Sequence, residues 1–269
     1  MKKEIAVVDQ ASIDALRQAY PVEQGFNRIQ LPRLGYESQD KFEGKGKEAK
    51  VVTEAGTFIL ETETSEVDKD KKKIWTKEEI GKKIEGVILF QRKQLSLYDM
   101  ATEKYTSSSV YDTDDQIIPL FFEKKKIATG TPAELKAKYM HVDEKDGKKK
   151  SKLKDNRILY VLLNGELRQL SLHGSSMYSF MTYSRKTLPP AVMTEFCSEP
   201  KEKGTTEWNM MTFTAKRNLT NEEIGDVLAK VNEIKEGIVQ EKAYYANQEP
   251  QEGTIEAKVQ EENDGFDKN

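Results

Sequence analysis

Cysteine is nearly absent. Cys197 is the one thiol in 269 residues, which excludes an internal disulfide and a cysteine cluster for zinc and fits a reducing cytoplasm. Histidine is almost as scarce, with only His141 and His173. No run of about 18 apolar residues exists to span a membrane, and the opening MKKEIAVVDQASIDAL lacks the sustained apolar region and small-residue cleavage site of a signal peptide. No phosphate-cradling P-loop, GxGxxG or GxSxG is present. Carboxylates are then the remaining means of acid–base or metal work. Asp112, Asp114 and Asp115 in YDTDDQ come nearest to a metal cluster, but no matching carboxylates recur at fixed spacing, and a solvated loop is the simpler reading. These gaps point away from an enzyme, with no cofactor and no metal expected. A magnesium-dependent nuclease using the three aspartates is kept as an alternative.

What is present suits a protein of modest core. Hydrophobic residues make up 36% and charged residues 33%, enough for one domain with extensions or two small ones. The net charge of −3 hides an asymmetry. From Glu241 onward eight acidic residues face three basic ones, whereas Glu123–Asp155 holds eleven lysines against six acids. A slightly basic body with an acidic tail suits a protein that meets a polyanion. Charge runs that merely solvate loops would look the same.

The stretch Arg157–Leu172, RILYVLLNGELRQLSL, reads as a β-hairpin, because Asn164-Gly165 accepts the two positive φ angles of a type I′ turn. A two-residue loop sets Leu163 opposite Glu166, Val161 opposite Arg168 and Leu159 opposite Leu170. Alternation then collects Leu159, Val161, Leu163, Leu170 and Leu172 on one face. Ile158, Tyr160, Leu162, Leu167, Gln169 and Ser171 take the other.

Upstream, Ser12 can cap a short helix within Ile5–Tyr20, and Pro32 makes Gly25–Gly35 an edge strand. Val51–Glu63 reads as strand, with a turn or bulge at Gly56. Thr76 and Glu79 have capping-box spacing, with Trp75 and Ile80 as a staple, so a two-turn helix is predicted there. It leads into the strand Ile84–Arg92, where Gly86 marks a bulge or close approach. Alternation on that strand groups Ile88, Phe90 and Arg92, either as a stacking surface or as a core strand whose end reaches solvent. Residues 99–116 read as a polar excursion, followed by the apolar run Ile117–Phe122.

Thr131-Pro132-Ala133-Glu134 starts another helix, ending near Tyr139, and His141–Asp155 reads as a lysine-rich loop. After the hairpin, Ser175 or Ser176 caps a helix to about Lys186, burying Met177, Phe180 and Met181 and leaving Tyr178, Tyr183, Arg185 and Lys186 elsewhere. Val192–Ser198 and Glu207–Lys216 are strands joined by the polar loop EPKEKGTT. Thr220 with Glu223 opens the last helix, whose stripe is Ile224, Val227, Leu228, Val231, Ile234 and Ile238. From about residue 247 the composition predicts disorder.

Five to seven strands with short helices predict a β-rich α+β fold: an OB-like β-barrel with helical insertions, a C-terminal helix and a disordered acidic tail, or another small barrel. One domain would span 1–240, including an N-terminal extension, with the tail over 241–269. Single-strand binding needs aromatic platforms for bases and cations for phosphates. Candidate DNA contacts are Phe90, Arg92, Lys93, Tyr98, Tyr160, Arg168, Tyr178, Tyr183, Arg185, Lys186, Trp208, Lys216 and Arg217, because most of the aromatics have basic residues within a few positions. A single aromatic is more often core than platform.

The segments IEGVILFQR, RILYVLLNGELRQLSLHGSSMYSFMTY, LPPAVMTEFCSE and WNMMTFTAKRNLTNEE, over residues 84–235, resemble a family of phage and mobile-element single-stranded DNA-binding proteins. That resemblance implies an OB-fold and sequence-independent protection of single strands during DNA replication or recombination, in the cytoplasm of a host cell. Some members carry a cysteine cluster between the first strand and the hairpin, and this chain has none there. The end Asp264-Gly265-Phe266-Asp267 is similar to acidic tips through which single-strand binders recruit replication or recombination proteins, which makes Asp264, Phe266 and Asp267 a candidate partner-binding tail. The alternative is a protein–protein or virion-associated module that binds no nucleic acid.

Overall fold

The computed structural model describes residues 31–43, 49–67, 73–99, 104–123, 125–143 and 147–246, with Ala11 alone before them. The Ser12 helix candidate and the acidic tip at Asp264, Phe266 and Asp267 lie outside the described residues. At the centre stand β12 (Lys154–Leu163) and β13 (Glu166–Leu172), in the register that the Asn-Gly turn requires: Leu163 opposite Glu166, Val161 opposite Arg168, Leu159 opposite Leu170. Asn164 and Gly165 have φ of 51° and 80°, as a type I′ turn demands.

β12 pairs antiparallel with β6 (Lys83–Asp99), a 17-residue strand that the rest of the sheet hangs on. Val161 faces Ile88 and Tyr160 faces Phe90, which leaves Leu89 as the extra residue of a bulge. The bulge shifts the alternation by one. Ile88 therefore joins Ile84 in one core while Phe90 joins Val87 and Leu89 in another, so Ile88 and Phe90 do not share a face as simple alternation predicts. Gly86 supplies close approach instead, since a Cβ there would lie 2.9 Å from the Leu162 carbonyl oxygen.

β13 pairs in parallel with β1 (Arg33–Tyr36), and β1 pairs with β4 (Phe58–Val67). β1 is thus an internal strand rather than the predicted edge. Pro32 is harmless because it precedes the strand, where its carbonyl accepts from the Gln169 amide. β2 (Lys41–Glu43) and β3 (Lys50–Thr53) form a small separate hairpin. The helix predicted at Thr76 is instead the strand β5 (Lys73–Gly81) on the outside of β4. The Thr76 hydroxyl donates to the Thr62 carbonyl, because pairing with β4 offers these residues more bonds than two isolated helical turns.

Beyond β6 the sheet continues through β7 (Lys104–Ser108), β8 (Ile118–Phe122) and β9 (Lys125–Gly130). Helix α1 (Pro132–Lys138) has the predicted Thr131–Glu134 capping box, with Pro132 in its first turn and Tyr139 as C-cap. The lysine-rich loop contains a hairpin, β10 (Met140–Val142) with β11 (Lys149–Ser151).

Helix α2 (Gly174–Lys186) starts at His173. Ser175 and Ser176 do not cap it: their oxygens accept from the Trp208 indole and the Met211 amide. β14 (Val192–Lys203) and β15 (Thr206–Asn218) run through the predicted polar loop as one long hairpin, and β14 also pairs with the start of β6. Helix α3 (Asn221–Ala246) runs past Glu241. It opens on reciprocal Thr220–Glu223 bonds of 2.8 and 3.3 Å.

The product is a β-rich α+β fold around an 11-stranded mixed sheet. No sheet closes into a barrel among the described residues. One face of the central hairpin packs Leu159, Val161, Leu163 and Leu170 with Phe180 of α2, Phe196 and Phe213. The other packs Ile158 and Tyr160 with Ile224, Val227, Val231 and Ile234 of α3; the side chain of Ile238 lies outside the described residues. A third cluster, including Leu95, Tyr111, Ile118 and Leu135, holds the insertion between β6 and β12. No helix among the described residues is long and apolar enough to cross a membrane.

Candidate nucleic-acid interface

Past the bulge, alternation sets Phe90, Arg92, Gln94, Ser96 and Tyr98 in one row on β6. The row runs from core to solvent. Phe90 and Tyr160 are both 1% exposed and stack on each other, with ring centroids 4.1 Å apart and planes 15° apart. Arg92 is also 1% exposed, and its Nε and Nη2 donate to Asp112 at 2.9 and 3.1 Å. These three candidates are interior groups and present no surface to a strand. The stretch Ile84–Arg92 is thus a core strand whose continuation reaches solvent.

Two other candidates, Arg168 and Tyr183, are also interior groups. Arg168 is buried and bound to Glu166, the Glu61 carbonyl and Thr62. Tyr183 is buried among Phe180 and Phe213, its hydroxyl 2.7 Å from that of Thr194, and burial pushes the phenol pKa up. Trp208 is half-buried and donates to Ser175.

At the surface, Tyr98 stays 45% exposed and lies directly opposite Tyr105, itself 62% exposed, with ring centroids 4.8 Å apart. Lys104 neighbours this pair and lies 5.5 Å from the Phe122 ring. In sequence KYTSS reads as part of a polar excursion, and only the β6–β7 register sets Tyr105 against Tyr98. Tyr178, Arg185 and Lys186 are exposed together on α2, where positions i and i+7 share a face. Lys216 and Arg217 are exposed on β15 but engaged, Lys216 with Glu195 at 3.1 Å and Arg217 with both oxygens of Glu223. These partners hold both carboxyls low, at about 2: Lys83 then Lys216 for Glu195, and Arg217 for Glu223. The surface candidates thus lie on separate elements.

Lys93 points into a cleft of about 320 Å³ lined also by Asp114, Pro132, Ala133, Lys136, Asp155 and Arg157. The aspartate triplet is partly consumed by cations. Asp112 holds Arg92, and Asp114 holds Lys93 at 3.0 Å. Among the described residues no group of three or more His, Cys, Asp or Glu side chains is placed to hold a metal ion.

Comparison with protein-family profiles, curated proteins and solved structures finds no match to this chain.

Proposed function

We propose that the protein binds single-stranded DNA without sequence preference, through the insertion between β6 and β12 rather than through the hairpin face. The connectivity supports an OB-like reading: three strands (β6, β12, β13), a helix (α2) and two strands (β14, β15), with β6 pairing to both β12 and β14. In OB-folds the ligand meets the second and third strands and the loops after the first and fourth. Here the apolar stripe of α3 covers the outer face of β12–β13, which leaves the two loops, and the first is the one rich in lysine.

One observation carries the reading. The first loop is where the eleven lysines of Glu123–Asp155 are concentrated, and at its root stand the exposed Tyr98 and Tyr105 rings. Rings that accept bases beside cations that accept phosphates are the two parts such binding needs. The biological setting would be strand protection in phage-type replication or recombination, with the acidic tail competing for the basic surface and recruiting partners.

The test is titration of the full chain with oligo(dT), duplex DNA and RNA, followed by tryptophan fluorescence and repeated across salt. Binding to oligo(dT) that weakens steeply with salt supports the reading; no binding at low salt ends it. A second reading has its own observation. On the β2–β3 hairpin Phe42 faces Val51, and Phe42, Val51 and Val52 are 59%, 46% and 46% exposed, a small apolar tip suited to another protein. Protein binding lost in F42S with oligo(dT) affinity absent throughout would favour it.

A further inference from the structure

The cleft beside α1 has a charge imbalance that its own residues do not resolve. Arg157 and Lys93 are directly opposite each other on β12 and β6, an arrangement in which like charges repel. Lys93 is drawn off to Asp114 at 3.0 Å, and Lys136 holds both oxygens of Asp155 at 2.7 and 2.6 Å. That leaves Arg157, which has no hydrogen-bond or ion-pair partner among the described residues, and its buried Nε has no acceptor. Three cations against two carboxylates leave the lining with one positive charge.

We infer that this cleft is a phosphate site, with Arg157 as the principal ligand and Lys93 and Lys136 as flanking charges. A guanidinium fork matches the paired oxygens of a phosphate, which an ammonium cannot do in the same way. The volume of about 320 Å³ is at the lower end of small-ligand pockets, roughly 300 Å³. That suits one nucleotide and not a folded polyanion. Pro132 and Ala133 line the same cleft and offer an apolar wall to the sugar. The choice of a nucleotide as the source of the phosphate rests on the proposed function; the phosphate site itself does not.

The experiment titrates the full chain with inorganic phosphate, thymidine 5′-monophosphate and oligo(dT), for wild type, R157Q and R157K. In wild type the Arg157 Nε–H NMR resonance should move on adding phosphate or the mononucleotide. R157Q should weaken both at least tenfold, with R157K between. Absence of any shift in the wild type, or equal affinity in R157Q, overturns the phosphate site whatever oligo(dT) does. If phosphate and the mononucleotide bind but oligo(dT) does not, the cleft stands as a phosphate site and the single-strand reading falls. If phosphate binds and the mononucleotide does not, the nucleotide assignment is overturned.

Discussion

Arg92 and Asp112 form a two-bond ion pair closed off from water, their side chains 0% and 4% exposed, with nitrogen–oxygen distances of 2.9 and 3.1 Å. The pair ties the sheet interior at β6 to the segment that precedes β8. Removing one partner strands a buried charge, so R92A or D112A should lose about 3–5 kcal/mol of stability, whereas the apolar double variant R92M/D112L should be near neutral. Urea denaturation of the four proteins checks this.

Aromatic residues should separate by location. F90A and Y160A are core truncations and should each lose about 3–5 kcal/mol of stability. Y98A and Y105A should leave stability almost unchanged and weaken oligo(dT) binding by about 1–3 kcal/mol each. Equal oligo(dT) affinity for wild type and the Y98A/Y105A double variant would remove these rings from the interface.

Gly56 is required by its contact as well as by its backbone. A Cβ there would fall 2.2 Å from Ser198 Oγ at φ +87°, and that hydroxyl is held by Tyr36 and Asn209 at 3.1 and 3.0 Å. G56A should cost about 1–3 kcal/mol from overpacking, and G56A/S198G should show favourable coupling in a double-mutant cycle. Thermal unfolding of the set measures it.

Acid should destabilise the fold in two stages. His173 is exposed as a residue, but its ring nitrogens lie against Asn156 and Ser171 at 2.6 and 3.1 Å, and desolvation there lowers its pKa. Below the ordinary histidine value of about 6.5 the unfolded chain takes up a proton that the folded one resists, so stability falls with pH until the folded value is passed. Glu195, held at about 2 by Lys83 and Lys216, stabilises above the ordinary carboxylate range and loses that contribution as pH drops toward about 2. H173Q should flatten the first stage of a Tm–pH profile, and E195Q should reduce the second, which Glu223, held at about 2 by Arg217, shares.

The helix caps give a smaller effect. T220A removes the acceptor for the Glu223 amide and should cost about 1 kcal/mol, with helical content reduced in α3 by circular dichroism.

Local chemistry determined much of this protein. The Asn164-Gly165 turn specified register residue by residue, and the Thr131–Glu134 and Thr220–Glu223 spacings marked two helix starts, because turns and caps are satisfied by neighbours in the chain. Tertiary pairing decided the rest. Thr76–Glu79 has the same spacing as the true caps, yet β4 lay within reach and drew it into a strand. A single bulge residue, Leu89, sent Phe90 inward onto Tyr160, and no sequence pattern announces which side of a shifted alternation the core will take. The same holds for the surface. Tyr98 meets Tyr105, and Arg157 meets Lys93, only through the β6 ladders, so the groups that can meet a nucleic acid are set by strand register across long separations.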